Sequence, residues 1–223
     1  MVSKCEQIPH HPPQKTKHPN GCFIFIDFRF LYDKTHREGV FMKRNQVIVF
    51  YGFPASGKYT IAKKLQEIAG GTLLDNHYFH GMFSGLVEYS QENKIEYFNK
   101  IAFLREAFLD VLRKFYIHQK NHRYIFTACI FPDTIIDFAR DINADFIPIY
   151  LSAPDSVLLS RCNTKYRKSR GKIVDREYYS SILTGLHEKI KVCSHENNVC
   201  IDTGELSEKQ TLDQVLSYIK QFD

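Results

Sequence analysis

Between Phe50 and Thr60 the chain reads Phe-Tyr-Gly-Phe-Pro-Ala-Ser-Gly-Lys-Tyr-Thr, and these residue types at this spacing can hold a phosphate. Gly52 and Gly57 allow the backbone to curl so that successive N–H groups, including those of Ala55 and Ser56, converge on an anion. A helix opening after Gly57 points its positive end at the same place. Lys58 adds a mobile point charge suited to the β- and γ-phosphates of a nucleotide. A glycine-rich turn with a surface lysine would be ordinary without the right context. Here four apolar residues, Val47 to Phe50, run into Gly52 and helical periodicity begins after Gly57. Strand, glycine turn and helix stand in the order that G-x-x-x-x-G-K requires.

The elements that must position this loop follow from the patterning downstream. Strands are expected at Gln46–Tyr51, Thr72–Asp75, Arg123–Ile130, Phe146–Leu151 and Val199–Asp202. Helices alternate with them: about Gly57–Ala69, with Ile61, Ala62, Leu65 and Ile68 on one face, then around Lys94–His118, where Ile95, Phe98, Ile101, Leu104, Phe108, Val111, Leu112 and Phe115 keep helical spacing as core. Further helices open at Asp133 after a Pro, run from Asp155 through Arg161, extend from a cap at Asp175 to about Cys193, and span roughly Glu208–Gln221. Alternation of this kind implies right-handed βαβ crossovers. The expected fold is therefore α/β, a five-stranded parallel sheet with helices on both faces, and its ligands belong at the carboxyl ends of the strands.

The loop has one unusual position. Tyr59 follows Lys58 where a Ser or Thr is common, and a phenol is too long to put an oxygen where that hydroxyl would sit; Thr60 comes next. This G-x-P-x-x-G-K-x-T form resembles the loop of adenylate kinases and their relatives. From about residue 45 onward the chain is similar to P-loop kinases of the shikimate kinase and nucleoside monophosphate kinase group. The resemblance rests on Gly52–Thr60, on Asp75-Asn76-His77 after the second strand, and on Arg167-Lys168-Ser169-Arg170-Gly171-Lys172. It implies ATP as phosphoryl donor and Mg²⁺ as the metal, with Thr60 its weak protein contact through water. It also implies that Gly52, Ala55, Ser56, Gly57, Lys58, Tyr59, Thr60 and Arg170 contact the nucleotide. Asp75 would stand beside the acceptor hydroxyl, where a carboxylate can orient it or take its proton; a helix cap is the plainer role for an Asp at a strand end. Residues 162–174 would form a lid, and Arg161 at the end of the preceding helix, with Arg167 and Arg170 in the lid, would reach the transferred phosphoryl group, a task whose geometry suits guanidinium groups. His77 is a weaker acceptor contact and His80 weaker still. Thr203-Gly204 would line the adenine pocket. Two features depart from the pattern: Tyr59, and the absence of a carboxylate at the end of the third strand, where Phe126-Thr127-Ala128-Cys129-Ile130 stands and Asp133 is the nearest acid. Cys129 reads as a buried strand cysteine.

Composition narrows the class without choosing the substrate. At 223 residues, with 43% hydrophobic and 25% charged residues, the chain suits one soluble globular domain with some extra length. No apolar run approaches a membrane span and no apolar block marks a signal peptide. Six scattered cysteines without a C-x-x-C pair exclude a metal or disulfide framework and fit reduced thiols in the cytoplasm. The net charge of +5 concentrates in the N-terminal arm and in the run from Arg161 to Lys172, which phosphate chemistry explains better than nucleic acid. Residues 1–41, Pro- and His-rich at first and apolar at Phe23–Tyr32, read as a loosely structured or accessory extension, and 42–223 as the kinase-like domain. The expected activity is transfer of the γ-phosphoryl group of ATP to a hydroxyl of a small molecule. The alternatives are a nucleoside or nucleotide acceptor, or an ATP-binding regulatory module without turnover. The sequence leaves the oligomeric state open.

Overall fold

The structure, a computed structural model, describes residues 44–75, 77, 94–116, 121–130, 133–169 and 175–223. The N-terminal extension, Asn76, His80 and Arg170 lie outside the described residues. The first strand, β1 (Asn45–Tyr51), is buried along its whole length because it is apolar toward both faces. Val47, Val49 and Tyr51 enter one core, while Ile48 and Phe50 enter the other. Such a strand belongs in the middle of a sheet covered on both sides. It pairs in parallel with β3 (Arg123–Thr127) and β4 (Ala144–Ser152); β2 (Thr72–Asp75) and β5 (Val199–Asp202) form the edges, in the order β2-β3-β1-β4-β5. The five-stranded parallel sheet anticipated from the sequence is therefore present.

One face is covered by α1 (Lys58–Ala69) and α7 (Glu208–Ile219), whose Ile61, Leu65, Leu212 and Val215 pack on Ile48, Ile147 and Ile149. The other is covered by α2 (Lys94–Tyr116) and α3 (Asp133–Asp141), with Leu109, Leu112 and Phe138 on Val49 and Phe126. A third, smaller cluster joins α4 (Asp155–Cys162) to α6 (Arg176–His187) and takes in Phe53 from the glycine loop. A short helix, α5 (Lys165–Ser169), lies within the basic segment. Two caps hold as their sequences imply. Asp175 accepts the Tyr178 N–H at 2.6 Å, and Ser207 with Gln210 closes a reciprocal capping box before α7. Among the described residues, no helix is long and apolar enough to cross a membrane.

Several expectations need correction. Strand β3 stops at Thr127, three residues short of Ile130: its neighbour β2 ends opposite, at Asp75, and after the Ala128 N–H reaches the Phe50 carbonyl at 2.9 Å the backbone bends away. Cys129 is accordingly half-exposed beyond the strand rather than buried in it. Helix α6 ends at His187, not near Cys193, because the chain turns so that Ile190 joins the third cluster. On α1, Ile68 is exposed. On α2 the buried stripe is Tyr97, Ile101, Leu109 and Leu112, while Phe98 and Val111 face outward; Ile95 and Phe115 have no described side chains.

The amino ends of the strands are closed by a polar network. The Arg123 guanidinium, fully buried, donates to the Gln46 side-chain oxygen at 2.8 Å, the Ala69 carbonyl at 2.8 Å and Asp223 at 3.3 Å. Gln46 in turn donates to Asp223 at 2.9 Å. Beside it the His122 ring lies 2.9 Å from the Thr72 hydroxyl, and burial, followed by the Arg123 charge, pushes the His122 pKa below its ordinary 6.5. The fold thus disfavours imidazolium. As pH falls below about 6.5 the unfolded chain takes this proton before the folded one does, so stability is lost in the window between that value and the lower folded-state pKa. Urea unfolding at pH 7.5 and 5.5 should show this acid loss in the wild type and a smaller loss in His122→Gln.

Candidate functional site

The loop between β1 and α1 lies at the carboxyl end of β1, the central strand of the sheet. Its backbone takes positive φ at three positions, easily at two glycines and at a steric cost at the alanine: Gly52 has φ 130°, Ala55 64° and Gly57 92°. A Cβ on Gly52 would collide with the Leu151 carbonyl of β4, so this position needs glycine for space as well as for φ. Lys58 begins α1 and folds back into the loop. Its ammonium donates to the Gly52 carbonyl at 2.9 Å, the Phe53 carbonyl at 2.6 Å and the Ser56 hydroxyl at 3.5 Å. Burial pushes its pKa down; the Arg167 charge acts in the same direction, while Cys129 and Asp75 oppose it. Asp75 and Arg167 thus each lie within electrostatic reach of Lys58.

Asp75 ends β2, one strand removed from the loop, with β3 between them. Its carboxylate is almost wholly buried, accepts the Thr127 hydroxyl at 2.6 Å, and lies 3.4 Å from the His77 N–H. Thr127 occupies the strand end where an acid was absent from the sequence. The adjacent strand's Asp75 brings a carboxylate to that place instead.

The arginines separate. Arg167, in α5, donates from Nε to the Cys162 carbonyl at 3.1 Å and lays its guanidinium over the Tyr179 ring, 5.9 Å from the centroid. Arg161, in α4, instead makes two bonds to Thr203 after β5: to the hydroxyl at 3.1 Å and to the carbonyl at 2.6 Å. The same Thr203 hydroxyl lies 3.1 Å from the Ser56 carbonyl and 3.0 Å from that of Ser152. Thr60 lies away from the Lys58 ammonium's contacts, lining a groove with Lys63, Lys64, Glu67 and Glu208, where Lys64 pairs with Glu208.

Three contributors escaped the sequence reading. Tyr179, fully buried in α6, donates its hydroxyl to the Pro54 carbonyl. Burial drives its pKa far above the ordinary value, so it remains a donor. Phe53 at the loop's crest packs on His187, ring centroids 4.7 Å apart, and His187 is 3.0 Å from Asp155 of α4. Thr127 is the third. Helical spacing marks Tyr179 as a core position; the target of its hydroxyl, 125 residues away, leaves no local signal.

Among the described residues, no three His, Cys, Asp or Glu side chains converge as a metal cage. A Mg²⁺ that arrives on nucleotide phosphates and keeps most of its waters needs no such cage.

No protein-family model matches the chain, and no curated protein matches it. Solved structures do. A putative kinase from Chloroflexus aurantiacus superposes with a TM-score of 0.58 at 17% identity, over 82% of this chain and 100% of that one. A thymidylate kinase from Candida albicans gives 0.52 at 13%, covering 80% and 92%. A gluconokinase from Sinorhizobium meliloti gives 0.51 at 12%, covering 81% and 94%. The fold is that of the P-loop kinases, the group to which the loop motif pointed.

Because Gly52 is constrained by both conformation and space, Gly52→Ala should displace the loop from β4. We expect it to lower stability by about 2–4 kcal/mol in urea unfolding, and to abolish nucleotide binding measured by calorimetry under conditions where the protein remains folded.

Proposed function

We propose that the protein is an ATP-dependent phosphotransferase that moves the γ-phosphoryl group to a hydroxyl of a small molecule. The observation that carries this reading is the juxtaposition of a glycine-bounded loop, a buried Lys58 and the buried carboxylate of Asp75 across a single intervening strand. The loop N–H groups and the start of α1 would bind the β- and γ-phosphates. Lys58, held by two carbonyls, would exchange part of that coordination for phosphate oxygens, a strong charge-assisted contact. Mg²⁺, when bound, would neutralise charge between the phosphates. Asp75, its orientation fixed by the Thr127 hydroxyl, would accept a hydrogen bond from the acceptor hydroxyl and hold its proton during transfer.

Above this floor, Arg167 and Arg170 of the basic segment are proposed as lid cations that exclude water and stabilise charge on the moving phosphoryl group. Arg161 would reach that group only on giving up both bonds to Thr203. Thr203-Gly204, Tyr59 and Thr60 are assigned to the nucleotide side. We assign catalysis to the body that begins near residue 42 and an accessory role to residues 1–41. The kinase-fold neighbours act on different acceptors by their names, so the acceptor class rests on Asp75 alone. A second reading, an ATP-binding module without turnover, is favoured by one observation: β3 ends in Thr127 rather than in a carboxylate.

Calorimetry with Mg·ATP and a steady-state ATPase assay, repeated over a panel of hydroxyl compounds, tests the choice. Wild-type protein should bind ATP, hydrolyse it slowly, and respond to one acceptor class. Lys58→Ala should lose binding. Asp75→Asn should retain binding and lose at least about 10²-fold in acceptor-stimulated turnover, and Thr127→Val should lower kcat by a smaller factor with little change in nucleotide affinity. ATP binding without turnover under any acceptor would establish the second reading.

A further inference from the structure

Four of the loop's carbonyl groups are held by side chains, two by Lys58 of the loop itself and two by hydroxyls from distant parts of the chain. Lys58 takes Gly52 and Phe53. Tyr179 takes Pro54, and Thr203 takes Ser56. In a planar trans peptide the carbonyl of one residue and the N–H of the next point in opposite directions. Holding the Pro54 oxygen against α6 therefore aims the Ala55 N–H the other way. Holding the Ser56 oxygen against the turn after β5 does the same for the Gly57 N–H. Both peptides flank residues with positive φ, Ala55 and Gly57, and neither peptide is itself part of a helix or strand ladder. Side-chain hydroxyls supply the fixing force that secondary structure does not.

We propose that Tyr179 and Thr203 are positioning residues for phosphate recognition: each pins one loop peptide from behind, so that the Ala55 and Gly57 N–H groups are preset toward the anion. This rests on the reading of the loop as a phosphate site and adds to it the two residues, outside the motif, that set its affinity. The two pins are built to be rigid. Tyr179 is fully buried among Phe53, Leu158, Cys162 and Leu183, so its ring cannot swing. The Thr203 hydroxyl accepts from Arg161, which also donates to the Thr203 carbonyl, and its single proton is shared between the Ser56 and Ser152 carbonyls, which fixes it between the loop and the end of β4. Arg161 thereby acts on the loop through Thr203.

The test uses Tyr179→Phe and Thr203→Val, which remove a hydroxyl and keep the shape of the side chain, with Thr203→Ser as the rescue. Two probes are titrated by calorimetry: Mg·ATP and inorganic tripolyphosphate, which has no base or sugar. Each hydroxyl deletion should weaken both probes by the same factor, about tenfold, and Thr203→Ser should restore wild-type affinity. In ¹⁵N–¹H spectra, the shift of the Gly57 amide on adding tripolyphosphate should shrink in Thr203→Val, and that of the Ala55 amide in Tyr179→Phe. Unchanged affinities for both probes would overturn the proposal. Weakened ATP with undiminished tripolyphosphate would overturn it too, assigning the residues to the base. Wild-type protein that binds neither probe would overturn the phosphate-site reading and this inference with it.

Discussion

An ammonium group turned into the fold is unstable unless oxygen surrounds it, and Lys58 depends on the loop for that oxygen. It is nearly buried, and burial lowers its proton affinity. Two carbonyls and a hydroxyl of the same loop compensate. The dependence runs both ways: the loop can turn its first carbonyls toward one point because a cation stands there. Much of the molecule around the loop serves this arrangement. β1 delivers the chain to Gly52 at the centre of the sheet, β4 closes over Gly52 from one side, and α1 fixes the backbone of Lys58 itself.

The same reasoning explains why the site draws on so many elements. The candidate groups gather at the carboxyl edge, where β1, β2 and β3 end and the turn after β5 begins. Asp75 can approach Lys58 because only β3 stands between their strands, and Thr127 at the end of β3 orients it. At the opposite edge no such convergence occurs. There Arg123 is consumed by Gln46, Ala69 and Asp223, and its role is to close the sheet.

What the sequence disclosed was what short-range pattern can carry. β1 was legible from a run of apolar residues ending in glycine, α1 from the loop motif and its periodicity, and the cap of α6 from Asp175, whereas the Ser207 cap of α7 was not read. The strand set and parallel sheet followed from alternation. Position on a helix was less legible: Phe98 and Val111 satisfy the spacing of a buried stripe, yet lie at its margins, where a small rotation of the helix exposes them. The end of β3 was misjudged because its termination is set by its partners, Phe50 and Asp75, and not by its own residues. Lys58, Asp75 and Arg167 were singled out because their chemistry is conspicuous. Tyr179 was not, since a tyrosine in a helix face signals packing and its hydroxyl finds Pro54 only in three dimensions. Arg161 was read as a phosphate ligand from its charge and place, whereas the fold gives its guanidinium two oxygen partners on Thr203.

The third core cluster has a consequence for how the molecule comes apart. Phe53 belongs to it rather than to either layer of the main sheet, and the cluster is small, with a rim that includes the exposed pair His187 and Asp155. Elements with few buried contacts open at lower free energy than the body they sit on. Loosening α4 and α6 from the sheet would release Phe53 and free the Pro54 carbonyl while β1, β3 and β4 stayed intact. The cradle would then lose its shape in a partly opened molecule whose sheet is still native. A ligand that needs the closed cradle would oppose that opening by mass action, so occupancy of the loop is linked to the local stability of α4 and α6.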